Sequence, residues 1–327
     1  DASFAISNGS NNTAVGHDCL KNNTANNSTA VGESALEANT TGSNNVAIGQ
    51  SALDANTSGG YNNAVGQNCL GANTTGNYNV AMGQDALANN TTASNNTAIG
   101  KSALVDNTTG HSNTAVGQAA AENITTGNHN TAVGRNSLGS QTTADNNVAI
   151  GQSALFANTT GTDNTAVGTN CLDANTTGVR NTAIGQNSLT ANTTADNNTA
   201  VGQGSMFLNT TGTENTAVGK SSLAANTTGD NNVAVGKDAL GANTTGSGNT
   251  AVGKGSSLSN TTGTDNIAVG LSALYTNSTG ADNVAVGRSA LQNNTTANNN
   301  TAVGHDALKL NTTGAENVAV GSKTLDA

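Results

Sequence analysis

The chain has 327 residues, a formal net charge of −10, 9% charged residues, 2% aromatic residues and no proline. Its Lys and Arg residues form no cluster, and a nucleic-acid-binding surface needs basic residues on one face, so nucleic acid is not an expected partner. No apolar run reaches the roughly 18–20 residues of a membrane-spanning helix, so no membrane insertion is expected. Disordered chains share the low hydrophobicity but are usually rich in charge and proline. This composition follows a strict period instead, which indicates a repetitive fold.

Each repeat carries a glycine that follows Ala-Val or a close variant, and we call it the anchor glycine. It occurs at Gly16 and Gly32 and then every 17 residues to Gly321, which makes 19 anchors with a first interval of 16. The unit reads N-[T/V]-A-[V/I]-G-x-x-A-L-x-x-N-T-T-G-x-x. No insertion interrupts the series. One continuous solenoid of about 19 coils is therefore predicted over residues 1–327, with 1–12 as an N-terminal cap or partial coil.

Along each unit, the segments predict strands and turns. The [T/V]-A-[V/I] triplet favours a short strand, and the segment that ends in Leu favours a second strand or a corner. Both segments are too short for stable helices, and glycine separates them. Asn-Thr-Thr-Gly favours a turn in which the glycine supplies a positive φ. The sequence therefore predicts an all-β fold, a parallel β-solenoid or β-roll of 17-residue coils.

Strand alternation divides each triplet between two faces of the coil. The third residue is Val or Ile except at Met82, and the residue four after the anchor glycine is Leu in 16 of 19 coils. We therefore expect a thin core of Val and Ile facing Leu, with the middle Ala pointing outward. The reverse assignment, with Ala inside and Val outside, remains open. The expected core ladder begins with Val15, Val31, Ile48 and Val65 and with Leu20, Leu36, Leu53 and Leu70.

Two asparagine ladders run through the repeats. In the first, which we call the strand Asn ladder, an Asn immediately precedes the triplet in 18 of 19 coils. In the second, the turn Asn ladder, an Asn opens the Thr-Thr turn in 16 of 18 turns. Equivalent amides in successive coils can hydrogen-bond along the axis, so both ladders are interpreted as structural. The turn asparagines also form Asn-x-Ser/Thr acceptors, so N-glycosylation is an alternative role for them. The strand ladder includes Asn45, Asn62, Asn79 and Asn96, and the turn ladder includes Asn39, Asn56, Asn73, Asn90 and Asn107.

The residues N-V-A-I-G-Q-S-A-L at 45–53, with their counterparts, resemble the head repeats of trimeric autotransporter adhesins. That resemblance covers only the strand half, because the present repeat is longer by its Asn-Thr-Thr-Gly turn. The whole unit is similar to repeats in phage and prophage tail fibres. Both resemblances imply a trimeric fibre shaft or adhesin head. Each coil also has few apolar side chains to bury, and an outward Ala row would let another chain approach closely, so a parallel homotrimer is expected.

The sequence contains no recognisable catalytic or cofactor motif. Its four histidines recur with no Ser or Cys partner at a defined spacing, and we expect them at the surface. The acids form no calcium-binding nonapeptide, and no phosphate-binding glycine motif is present. We therefore expect no enzyme activity, no cofactor and no metal. Cys19, Cys69 and Cys171 stand where Ala is usual and are interpreted as small apolar residues, with interchain disulfides or metal binding as alternatives.

Together these features predict an extracellular structural or adhesive fibre segment, at a cell surface or in a virion fibre. Its expected partners are further copies of itself and a cell-surface receptor or glycan. Two alternatives remain open. Thr follows the turn asparagine position in 17 of 18 turns, and such a ladder would suit ice binding. The Asn acceptors would suit a glycan-coated filament subunit.

Overall fold

The computed structural model describes residues 9–326 and shows an all-β parallel β-solenoid with about 17 residues per coil. The chain divides into two compact units, Asp1–Asp163 and Asn164–Ala327, and each is a solenoid of this kind. Most of the predicted N-terminal cap lies outside the described residues, which begin at Gly9, shortly before the first strand. Within the described range, no helix is long and apolar enough to cross a membrane.

Every coil contributes one strand of three residues, and that strand is the predicted triplet. In the first unit the strands are β1 (Thr13–Val15), β2 (Thr29–Val31), β3 (Val46–Ile48), β4 (Asn63–Val65), β5 (Val80–Met82), β6 (Thr97–Ile99), β7 (Thr114–Val116), β8 (Thr131–Val133) and β9 (Val148–Ile150). In the second unit they are β10 (Thr165–Val167), β11 (Thr182–Ile184), β12 (Thr199–Val201), β13 (Thr216–Val218), β14 (Val233–Val235), β15 (Thr250–Val252), β16 (Ile267–Val269), β17 (Val284–Val286), β18 (Thr301–Val303) and β19 (Val318–Val320).

Within each unit, consecutive strands pair in parallel, and each residue meets its counterpart one coil further on. Ala30 of β2 pairs with Ala47 of β3, for example. The backbone outside the strands is also hydrogen-bonded from coil to coil, as in the bond from Leu36 N to Ala52 O (3.0 Å) and that from Thr40 N to Thr57 O (2.9 Å). Because these bonds recur around the coil, three strand residues per coil are enough to hold the stack in register.

The prediction that Val and Ile face inward is wrong, and the reverse assignment is the observed one. The middle Ala of the triplet is fully buried in every coil from Ala30 to Ala302, whereas Val15 is 57% and Ile48 40% exposed. Val31 and Val65 are half-exposed, so none of the four expected Val and Ile core residues is buried. The four expected leucines, Leu20, Leu36, Leu53 and Leu70, are all fully buried.

The reason for the reversal is the width of the coil interior. The buried Leu and the two Asn ladders already occupy the interior that the strand faces. The ladder asparagines are as deeply buried as the leucines. A closely filled interior does not accept extra methyl groups without strain, so only an Ala methyl fits there. The larger β-branched side chains of the triplet therefore lie on the outer surface.

The backbone of each coil turns through several residues with positive φ, and these are not at the predicted position. The glycine of Asn-Thr-Thr-Gly does not have a positive φ, so that expectation is wrong; its role is to be small, and buried alanines such as Ala93 replace it. Positive φ occurs instead at the anchor glycine and at the buried Leu, as at Gly100 (φ 133°) and Leu104 (φ 51°). A left-handed Leu is strained, and burial of its side chain offsets that strain.

The anchor glycine combines a positive φ with a close approach to the backbone of the next coil. Gly100 has a positive φ, which disfavours any residue with a side chain. A Cβ added to it would also stand 2.5 Å from the carbonyl oxygen of Gly117 in the next coil. We expect Gly100→Ala to lower the free energy of unfolding by more than about 3 kcal/mol, from backbone strain and this clash. Gly110→Ala, in the following turn, also brings a Cβ close to the carbonyl oxygen of Gly127. However, Gly110 has no positive φ, and alanine occupies the same position in other coils, as at Ala93, so its loss should be clearly smaller. Urea denaturation followed by circular dichroism measures both; equal losses would contradict this account of the anchor.

Candidate functional site

The strand Asn ladder ties each coil to the next and also spans the coil. Asn62 accepts at Oδ1 from the backbone N of Asn79 (3.0 Å), and Asn62 itself donates from its backbone N to Asn45 Oδ1 (2.9 Å). Its Nδ2 donates across the interior to the carbonyl of Gly76 (2.8 Å). The members Asn45, Asn62, Asn79 and Asn96 are fully buried, so their polar atoms are satisfied inside the coil.

The turn Asn ladder runs beside it through amide-to-amide bonds. Asn73 donates from Nδ2 to Asn56 Oδ1 (2.9 Å) and to Gly76 O (3.1 Å), and it accepts at Oδ1 from Asn90 Nδ2 (2.9 Å). Gly76 O thus receives bonds from both ladders. In both ladders, hydrogen bonds therefore run from coil to coil along the axis.

The same geometry argues against N-glycosylation of the turn asparagines. A glycan would be attached to Nδ2, and in the fold that nitrogen is buried and donates two hydrogen bonds inside the coil, as at Asn56. A sugar has no room there, and its attachment would break both bonds. In the folded coil these asparagines are therefore placed to hold the turn and not to carry a glycan. This holds for all of the candidate acceptors, Asn39, Asn56, Asn73, Asn90 and Asn107, which are fully buried.

Two coils depart from the turn ladder, with different consequences. Gln141 continues it, because its Oε1 accepts from Asn158 Nδ2 (3.0 Å) and its Nε2 donates to Ala144 O (2.6 Å). Ile124 interrupts it, because its side chain has no donor. The amide oxygen of Asn107, one coil earlier, is buried and has no hydrogen-bond partner as a result.

This interruption supplies a control for the strength of the ladder. Asn73→Ala removes three hydrogen bonds and leaves the buried Oδ1 of Asn56 and one N–H of Asn90 unpaired, so we expect it to lower the free energy of unfolding by about 3 kcal/mol or more. Asn107→Ala removes only the donated bonds, since its oxygen is already unpaired. It should cost measurably less. Urea denaturation gives the two losses, and hydrogen exchange around each turn localises them; an equal loss in the two variants would show that the bond accepted at the Asn73 amide oxygen adds nothing.

The three cysteines are fully buried and unpaired, in agreement with their interpretation as small apolar residues. Cys19 and Cys171 donate to backbone carbonyls of the following coil, at Ala30 (3.1 Å) and Ala183 (3.0 Å). Burial raises the pKa of Cys69 to about 12 and that of Cys171 to about 11, and it also raises that of Cys19. These thiols therefore stay protonated at neutral pH, which disfavours both disulfide exchange and metal ligation.

The outer side of the strands forms a regular surface that we call the strand face, made of the first and third residues of every triplet. These positions hold Thr, Val and Ile, with Asn63 and Met82 as the exceptions, and no coil has a charged residue at either of them. The third residue is partly exposed throughout, as at Ile99 (37%) and Ile184 (40%). Each unit therefore presents an uncharged, largely β-branched stripe to solvent, which is typical of an interaction surface.

The Thr-Thr turns form a second regular surface. The first Thr is held by a hydrogen bond to the next coil, as from Thr57 Oγ1 to Thr74 O and from Thr74 Oγ1 to Thr91 O (both 3.0 Å). The second Thr, such as Thr75 or Thr109, points to solvent. The turn thus carries one fixed and one exposed hydroxyl per coil.

Other pairs arise only from stacking of the coils. Tyr61 and Tyr78 stack at a centroid distance of 5.0 Å, and His111 meets His129 edge to face at 5.1 Å. Neither pair was predicted, although residues 17 or 18 apart are neighbours in any solenoid with this period. In the described part of the chain, no group of three or more His, Cys, Asp or Glu side chains could hold a metal ion. No protein-family model and no curated protein matches the chain.

Proposed function

We propose that this chain is a segment of an extracellular structural and adhesive fibre whose copies associate through the strand face. The observation that carries the proposal is the exposed stripe of Val, Ile and Thr, which has no charge in any coil. Leaving such a stripe in water costs free energy, and association removes that cost. Nothing in the proposal requires catalysis.

The regularity of the strand face favours another copy of the chain as its partner. The face repeats the same two β-branched residues at roughly 4.8 Å intervals along each unit, which is the spacing of hydrogen-bonded strands. A second solenoid has the same spacing, so side chains of two or three copies can interdigitate coil by coil. The resemblance to trimeric adhesin heads and tail-fibre repeats favours three copies in parallel. Such a fibre would stand at a cell surface or on a virion and contact a receptor or glycan.

Charge on the strand face is the test of this association. We expect the wild type to sediment as a trimer and the double variant Ile99→Lys with Val116→Lys to sediment as a folded monomer, because association would bury two unpaired ammonium groups in every copy. The matched control is Gln84→Lys with Gln118→Lys, which places the same charges just after the anchor glycines and should remain trimeric. Analytical ultracentrifugation gives the masses, and circular dichroism checks the fold. A folded wild-type monomer at high protein concentration would refute the proposal.

Ice binding is the second candidate, and the turn threonines favour it. Their first hydroxyl is held in one orientation by the backbone of the next coil, so the row has a fixed geometry, and a second exposed Thr accompanies it. Ordered rows of methyl and hydroxyl groups can organise water into a lattice, provided that the rows are flat.

If the turns bind ice, the purified wild type shows thermal hysteresis. Thr109→Tyr with Thr126→Tyr should then abolish the hysteresis, because bulky rings break the row, while Gln118→Tyr on another side of the coil should leave it unchanged. Absence of hysteresis in the wild type at high protein concentration rules this candidate out.

A further inference from the structure

A cleft of about 440 Å³ opens on the second unit, near the coils that follow β15 and β16. Its apolar lining consists of Leu258, Leu271 and Tyr275, and Gly255 also lines it. The volume lies within the range of roughly 300–1,000 Å³ that is usual for small-molecule sites. Unlike the strand face, this cleft does not repeat from coil to coil, because the residues that form it are departures from the repeat.

The first departure moves a leucine from the interior to the surface. In this coil Ser257 occupies the position of the buried Leu, and Leu258 follows one residue later. Ser257 is buried, whereas Leu258 is half-exposed and lies over Gly241 of the preceding coil. A Cβ on Gly241 would stand 2.9 Å from Leu258 Cδ1, so the missing side chain there makes room for the leucine.

The second departure opens space beside an aromatic ring. Gly255 occupies a position of positive φ (63°) where most coils carry Ser, Asn or Asp, and a Cβ added to it would approach only the ring of Tyr275, at 3.4 Å. Leu271, 47% exposed, stands where other coils have Gln, Lys or another polar residue. A Gly, a Tyr and two outward Leu residues thus coincide in two adjacent coils.

The polar residues of the lining decide what the cleft can hold. They include Asp238, Lys254 and Gln292, which supply a carboxylate, an ammonium group and an amide. Asp238 already lies 3.6 Å from Lys237 Nζ, so its carboxylate does not favour a cationic ligand. A lipid tail would offer no hydrogen-bond partner to Lys254 or Gln292 at the rim. The lining instead suits a neutral molecule that has both hydroxyl groups and an apolar C–H face.

We propose that this cleft binds a sugar, as one pyranose unit of a neutral glycan. The C–H face of the ring would lie against Tyr275 and the two leucines, and its hydroxyl groups would bond to Asp238, Lys254 and Gln292. This site lies in one place on the chain and does not depend on association through the strand face. A monomeric protein would retain it, so the two proposals fail separately.

A variant that fills the cleft tests the site without straining the backbone. Asn occupies the Gly255 position with positive φ in other coils, as at Asn136 and Asn187, so Gly255→Asn should fold normally while its side chain enters the cleft. Gly204→Asn is the matched control, because Gly204 has the same φ (62°) and open space around it. The probe is a panel of methyl pyranosides of glucose, galactose, mannose, fucose and N-acetylglucosamine, measured by saturation-transfer NMR and titration calorimetry.

We expect at least one methyl pyranoside to bind the wild type and the Gly204→Asn protein equally, and to bind Gly255→Asn at least tenfold more weakly. Tyr275→Ala should weaken binding similarly, whereas Phe156→Ala, at the equivalent position of a coil in the first unit, should not. Circular dichroism and melting temperature confirm that each variant is folded. The proposal is overturned if no member of the panel binds the wild type, or if the bound sugar is unaffected by both Gly255→Asn and Tyr275→Ala.

Discussion

The close stacking of one coil on the next is the constraint on which the other features of this protein depend. The anchor glycines approach so closely that an added methyl group at Gly100 would collide with the carbonyl of Gly117. With the backbones that close and hydrogen-bonded around the coil, the interior of each coil is narrow. It accepts one Leu, small residues and two amides, and the Asn ladders supply hydrogen bonds to the polar groups inside it.

This narrow interior connects the core to the surface. A globular protein would bury its β-branched strand residues, and here the space that they would need is filled by Leu and Asn. The Val and Ile residues therefore lie outside, where they form the uncharged strand face that supports the proposed association. The narrow interior that lets the coils stack closely thus also leaves the Val and Ile side chains exposed to another molecule.

Departures from the repeat have local and unequal effects. Gln141 keeps the turn ladder bonded to the next coil because its amide oxygen accepts from the Asn of the next turn and its amide nitrogen donates to a carbonyl of its own turn, whereas Ile124 leaves an amide oxygen of Asn107 unpaired. The displaced Leu258 and the missing side chain at Gly255 create a cleft that a perfect repeat would not have. Regular positions therefore build the solenoid and its stripe, and irregular positions provide the candidate site for a specific ligand.

The sequence by itself determined the period, the parallel β-solenoid, the location of all the strands, the buried Leu column and both Asn ladders, because a strict repeat places equivalent residues above one another. The middle residue of the triplet is Ala in every coil, whereas the third varies among Val, Ile and Met, and this difference was a signal that the Ala faces inward. Strand alternation alone does not choose between the two faces. Only the tertiary structure decided that choice, because it depends on the free width of the coil interior. The burial of the turn asparagines, the left-handed Leu and the cleft at Leu258 were likewise decided by contacts between coils, which no single repeat contains.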